Sequence, residues 1–154
     1  MRAPTWVKIG AAVSATALLG SLAARPNSRW YRSLDKPTWQ PPRQAFPLVW
    51  TVLYGLLAYA GARVMDAMPD DKRRAFQVSY TANLGLNAGW TPIFFTFRRP
   101  DAALAEIVAL NASNVDLFHR AWAADRVAGA SLVPYLIWTA FATALNADIV
   151  RRNR

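Results

Sequence analysis

The sequence predicts an all-α fold, an integral membrane bundle of five transmembrane helices. Four windows run sixteen, nineteen, twenty-three and twenty-one residues without a charged side chain, in a chain of 154 residues that is 54% hydrophobic. The 18 Lys and Arg sit in short clusters between those windows. A nucleic-acid binder with the net charge of +9 would gather its basic residues on one face. Here they punctuate apolar stretches, so the expected partner is the lipid bilayer and not nucleic acid. The chain has no cysteine, which excludes disulfides, thiolate metal sites and cysteine nucleophiles.

The first window, Ile9–Ala24, reaches bilayer length once Thr5–Val7 is added, giving a span over about 5–24. Ser14, Thr16 and Ser21, with few leucines, argue against a cleaved signal peptide. Gln44–Ala62, Ala75–Phe97 and Val127–Ala147 predict spans over about 44–65, 75–97 and 127–149. The segment 102–119 carries Glu106, Asn111, Asn114 and Asp116. It reads either as an amphipathic surface helix or as a span whose polar side faces protein, since charges in lipid are costly unless shielded. Short flanking connections favour the span, so residues 1–154 form a single five-helix domain. Residues 25–43 make the one long connection, 63–74 and 119–126 lie on the opposite side, and 98–101 is a tight turn. The long-loop side holds ten Lys and Arg against eight, a slight lean toward a cytoplasmic C-terminus.

Three of these spans present bulky aromatic rings, and two of them amides, toward a common interior. Pro37, Pro41 and Pro42 stiffen the long loop around Trp39, and Pro47 suits the first turn of the next helix. Phe46, Trp50 and Tyr54 recur every four residues and share a helix face. Asn83, Asn87, Trp90 and Phe94 lie near one stripe of the third span, with Phe95 beside them and Pro92 bending the helix. The asparagines turn that stripe inward, because an amide in hydrocarbon must find partners. On the last span Pro134, Trp138, Phe141, Ala142 and Leu145 occupy one side, with Asn146 close by. Such stripes are ordinary core in many proteins. Membrane helix contacts, however, favour small residues, and inward-facing Trp and Phe hold helices apart. The pattern therefore predicts a cavity lined by flat rings under a stiff lid carrying Trp39. It suits a large, flat, apolar ligand with a polar edge.

The segments "WYRSLDKPTWQPPRQAFPLVWTVLYGLL", "NLGLNAGWTPIFF" and "PYLIWTAFATALN" together closely resemble the TspO family, the tryptophan-rich sensory proteins related to the translocator protein or peripheral benzodiazepine receptor. The resemblance runs from Trp30 to Asn146. It implies five transmembrane helices, a homodimer, and a pocket beneath the first loop for tetrapyrroles and benzodiazepine-site ligands. Carried over by position, Trp39, Phe46, Trp50, Asn87, Trp90, Phe94, Trp138, Ala142 and Leu145 line that pocket; Tyr54 and Asn83 join them from the helix faces above. Protoporphyrin IX or haem enters as ligand, and no cofactor or metal is required.

Three functions compete under this resemblance. Binding as a sensor, regulator or carrier of tetrapyrroles ranks first. Light-dependent porphyrin degradation ranks second, with Trp50 and Trp138 as the catalytic indoles. Transport of tetrapyrroles or sterols ranks third, because no inverted repeat is visible. Ala147 stands where the sterol-recognition pattern of animal relatives has tyrosine, which weakens the sterol expectation. Asn83 replaces a glutamine found in many relatives. Gly85 and Gly89 have dimer-motif spacing, whereas animal relatives place their glycines where this chain has Val78 and Ala82. His119 reads as a surface residue rather than a haem ligand, Glu106 and Asp148 as paired with a neighbouring helix or with Arg151 and Arg152 rather than as a proton relay, and Ser131 as lacking a histidine partner. The expected location is a bacterial cell-envelope membrane, crossed several times.

Overall fold

Prolines and acidic residues set most of the helix starts. The computed structural model describes residues 4–154. Pro4 precedes α1 (Thr5–Ala23), and Ser28 accepts from the Tyr31 amide to cap the short α2 (Arg29–Ser33). The long α3 (Ala45–Ala67) follows the Pro41–Pro42 pair. Pro69 precedes α4 (Asp70–Thr91), whose first turn carries Asp70 and Asp71 at the positive end of the helix dipole. Pro100 opens α5 (Pro100–Ala124). Asp125 caps α6 (Arg126–Arg152) through the Ala128 amide, and Arg151 and Arg152 complement the dipole in its last turn.

Five long helices thus stand at the five expected places, but the two connections on the far side are shorter than expected. Met68–Pro69 and Asp125 replace the predicted 63–74 and 119–126. A charge-free window ends where side chains meet polar surroundings, whereas the helix continues as long as its residues favour it. Arg63, Lys72 and Arg120 therefore ride on helices. Among the described residues three helices, α1, α3 and α6, are long and apolar enough to cross a membrane. Those of α4 and α5 are long enough at 22 and 25 residues but carry more polar side chains.

The long helices close into a ring in the order α1, α3, α6, α5, α4. Pro92 does more than bend α4. Residues Pro92–Thr96 form a π-turn, in which the Phe97 amide bonds back to the Pro92 carbonyl at 2.9 Å. The wider turn follows from a proline that has no amide proton to give to the preceding turn. Arg98, at φ 55°, then takes a left-handed conformation that reverses the chain into α5.

One sequence-derived face needs correction. Pro134 is exposed on the outside of α6, and Tyr135 takes the inward place. Its ring is fully buried, as is Thr139 one turn on. The inner stripe is Tyr135, Thr139, Ala142, Asn146 and Ile149, with Trp138 and Leu145 at its edges; Pro134 falls outside it by one residue, about 100° of helix rotation.

Away from the long loop the ring is solid. Leu57, Val64, Phe76, Tyr80, Leu117 and Leu132 belong to one buried cluster there. Two glycines permit its closest approaches. A Cβ on Gly61 would lie 2.8 Å from the Tyr80 ring, and one on Gly129 would lie 2.7 Å from Trp122 Cα.

Candidate functional site: a cavity under the long loop

The loop end of the ring encloses a cavity of about 280 Å³. Nine of the eleven sequence-predicted site residues line it: Phe46, Trp50 and Tyr54 from α3, Asn87 and Trp90 from α4, Phe94 from the π-turn, and Trp138, Ala142 and Leu145 from α6. The spacing of four on α3 and α4 is what brings each set onto one wall. Trp90 and Phe94 stack with centroids 4.9 Å apart, and Phe46 meets Trp138 edge-on at 5.8 Å. The Trp90 indole is held in place by Asn146 Oδ1, which accepts from Nε1 at 3.0 Å. Asn146 is fixed in turn by donating to the Pro100 carbonyl at 2.9 Å.

Trp39 and Asn83 are placed elsewhere. Trp39 is 45% exposed and packs edge-on against Phe141 at 5.7 Å, behind the wall formed by Trp138. The lid residue over the void is Tyr31, 8% exposed and turned inward by α2. Its ring meets Phe95 at 5.2 Å, and its carbonyl accepts from Lys36 Nζ at 2.8 Å. Lys36 also donates to the Leu34 carbonyl at 2.7 Å, so one ammonium knots the lid's backbone. A second clasp joins the lid to the end of α6. The Asp35 amide donates to Asn153 Oδ1 and the Asp35 carbonyl accepts from Asn153 Nδ2, both at 2.9 Å.

Asn83 lies fully buried one turn below Asn87, inside a polar network that forms the cavity's floor. Tyr54 donates to Asn87 Oδ1 at 2.8 Å, and Asn87 Nδ2 donates to the Tyr135 hydroxyl at 2.8 Å. The Tyr135 hydroxyl donates to Asn83 Oδ1 at 3.3 Å, and Asn83 Nδ2 donates to Asn114 Oδ1 at 2.6 Å. Asn114 donates onward to Thr139 at 2.9 Å. Four helices are stitched together, and the amides that look misplaced in hydrocarbon satisfy one another.

The α1 wall was missed by sequence reasoning. Ala17, Gly20, Ser21 and Ala24 line the cavity, and Gly20 leaves its space open to Thr91 Oγ1 and Tyr54 Oη at 3.7 and 3.8 Å. Their helical spacing was readable, but small side chains carry no aromatic signal. Exposed Ser21, Ala24, Arg43 and Pro47 mark the mouth, between the end of α1 and the start of α3.

The remaining singled-out residues divide cleanly. His119 is exposed on α5 with its ring beside Phe118. Asp148 pairs with Arg151 and Arg152. Glu106 departs from the expected pairing: both of its carboxyl oxygens are buried without a hydrogen-bond partner, and Gly89 faces one of them. The Gly85–Gly89 pair is split by burial, with Gly85 on an exposed face and nothing near it. The Ser131 hydroxyl donates to the Ala128 carbonyl.

Known proteins match most of this sequence. A sequence profile of the TspO/MBR family aligns with residues 9–152. The chain is 40% identical over 143 residues to the tryptophan-rich sensory protein of Cereibacter sphaeroides, covering 93% of this chain and 87% of that one. Protein CrtK of Rhodobacter capsulatus is 35% identical over 125 residues, 80% and 78% of the two chains. The human translocator protein is 33% identical over 127 residues, 81% and 75% of the two chains. With its apolar helices, the chain is an integral membrane protein, and it belongs to the TspO/MBR family.

Proposed function

We propose that the protein crosses the membrane five times and binds tetrapyrroles of the protoporphyrin or haem type in the cavity, as a sensor, regulator or carrier. The observation that carries this reading is the void itself, walled by Phe46, Trp50, Trp90, Phe94 and Trp138 over a hydrogen-bonded amide floor. Stacking faces and an apolar wall suit a flat conjugated ring, and the Asn87–Tyr54 floor supplies the few fixed polar groups such pockets use. The cavity volume is at the lower end for a drug-sized ligand. A macrocycle therefore enters by one edge, and full insertion requires the lid over residues 25–43 to shift. The crossing of α4 and α5 is supported by their polar side chains meeting across the shared interface, as Asn83 does with Asn114. A homodimer in a bacterial envelope membrane, with room for benzodiazepine-site ligands in the same cavity, completes the reading.

The test is a titration of the detergent-solubilised protein with protoporphyrin, followed by tryptophan emission and by the porphyrin's own absorption band. Saturable change in both is expected. It should disappear in Gly20→Phe, which fills the cavity from α1 while leaving every tryptophan in place. Saturation that survives unchanged in that variant sinks the reading.

Photodegradation is favoured by where two indoles of that wall sit: Trp50 on α3 and Trp138 on α6 both line the void. An illuminated complex should lose its porphyrin band more slowly in Trp138→Phe. Equal loss leaves that indole without a photochemical role.

A further inference from the structure

Among the described residues that line the cavity, one carries a charge: Arg43. It is exposed at the mouth, two residues before α3 begins at Ala45, with Ser21, Ala24 and Pro47 on the same rim. Its Nη1 donates to Asn27 Oδ1 at 2.8 Å, which orients the guanidinium across the lid. No carboxylate pairs with it among the described residues. The acid nearest in sequence, Asp35, is turned away toward α6, where its backbone is held by Asn153 and its carboxylate lies 3.9 Å from Arg152. Residues 25–43 hold five basic side chains and that single acid, so the lid that carries Arg43 has a net positive charge.

An apolar interior with one cationic rim selects an amphiphile of a particular shape. Its flat apolar part goes inward, and any acidic group stays at the lip, because burying a carboxylate among Phe and Trp rings without partners is costly. The small volume enforces the same orientation, since only part of a macrocycle fits beneath the lid. A guanidinium offers five donors in a planar fork that matches a carboxylate with two parallel hydrogen bonds, and Asn27 occupies one of them. We propose that Arg43 is a specificity-determining residue that holds the ligand's carboxylate at the cavity mouth, so that the site prefers tetrapyrroles with free acid side chains over their neutral esters. The proposal rests on the tetrapyrrole reading above and adds the chemical group by which the ligand is chosen.

The experiment compares protoporphyrin IX with its dimethyl ester in an uncharged detergent, using the native chain, Arg43→Gln and Arg43→Lys. The native chain should bind the free acid about fivefold more tightly, the size expected of an exposed ion pair with good geometry. Added salt should narrow that gap. Arg43→Gln should lose the preference by weakening acid binding alone, and Arg43→Lys should keep part of it. If the native chain binds acid and ester equally, or if Arg43→Gln weakens both alike, the residue is a lid scaffold or headgroup anchor and the proposal falls while the tetrapyrrole reading stands. If neither compound binds the native chain, the tetrapyrrole reading fails and takes the proposal with it.

Discussion

The two ends of the bundle use the same residue types and reach opposite results. At the far end a small residue lies under a large ring: Gly61 beneath Tyr80, and Gly129 against Trp122. Each pair closes its own gap, and Leu57, Val64, Phe76 and Leu132 fill what is left. At the lid end rings meet rings across elements, as in Phe46 of α3 against Trp138 of α6 and Tyr31 of α2 against Phe95, while Ala17, Gly20 and Ala142 face the space between the walls. A ring that presses on a ring keeps its helices apart, and a small residue without a ring over it leaves room. Matching of volumes across facing positions, more than hydrophobic content, decides which end is solid and which is hollow.

The most forceful way to break that comparison is to add one methyl group at each end. Gly129→Ala places a Cβ 2.7 Å from Trp122 Cα, a backbone atom that cannot move without shifting α5 against α6. Overpacking of this kind costs about 1–3 kcal/mol, and the backbone contact puts this case near the top of that range. Gly61→Ala meets the Tyr80 ring instead, and that ring is pinned by its hydroxyl donating to the Leu57 carbonyl at 2.8 Å. Its cost should be smaller but clear. Gly20→Ala meets its neighbours only at 3.7 Å, ordinary contact, and should shift stability by no more than about 0.5 kcal/mol. Thermal unfolding of the three variants in one detergent gives the ranking. Equal losses at Gly20 and Gly129 contradict a hollow lid end.

The boundary between the ends is the amide network, and it gives the next effect in size. Asn87→Leu removes the acceptor of the Tyr54 hydroxyl and the donor to Tyr135, so two phenols lose a partner at the cavity floor. The Tyr135 hydroxyl keeps its bond to Asn83, which limits the damage. A loss of about 1 kcal/mol is expected, in line with interhelical hydrogen bonds in membranes. Unfolding of Asn87→Leu alongside Asn87→Gln measures it; the glutamine should recover part of the loss only if the extra methylene finds room in the void. Stability unchanged in both variants means that the network positions side chains without stabilising the bundle.

The solid end was harder to read from the sequence than the hollow one. Trp, Phe and Asn recurring every four residues placed the α3 and α4 walls correctly, because large and polar side chains in an apolar segment have few places to go. Four of the five long helices follow from charge-free windows and α5 from its short flanking connections, but the ends do not, since charges such as Arg63 and Lys72 sit on helices that outrun those windows. The α1 wall escaped because alanine and glycine are informative only when their neighbours in space are known. Asn83 shares a stripe with Asn87, which points it at the cavity in the sequence; its partner in the fold, Asn114, is thirty-one residues away on another helix. Prolines around Trp39 suggested a ceiling, but Ser28 caps a short helix that turns Tyr31 inward instead. Pairing between distant residues decides such cases, and single-residue patterns do not contain it.

The smallest expected effect concerns how each end is fastened. At the far end Asp125 Oδ2 accepts from Arg63 Nε and Nη2 at 3.0 and 2.6 Å, and Oδ1 caps α6 through the Ala128 amide. The Arg63 guanidinium and that amide hold the Asp125 carboxyl below its usual range. A carboxylate with a depressed folded-state value contributes stability that is present above the unfolded value, near pH 4, and is lost as pH falls through the lower folded one. Asn caps a helix about as well as Asp, so Asp125→Asn removes the charge and keeps the cap. The variant should unfold at a slightly lower temperature at pH 7, and the difference should shrink as the pH drops below about 4 or as salt is added. The clasp between Asn153 and the lid works differently, through a neutral amide on the Asp35 backbone, which has no proton to lose in that range. Asn153→Ala should therefore cost the same at pH 7 and at pH 4. A pH-dependent loss there, or a pH-independent one at Asp125, reverses the assignment of a carboxylate–guanidinium clasp to Asp125 and a neutral amide clasp to Asn153.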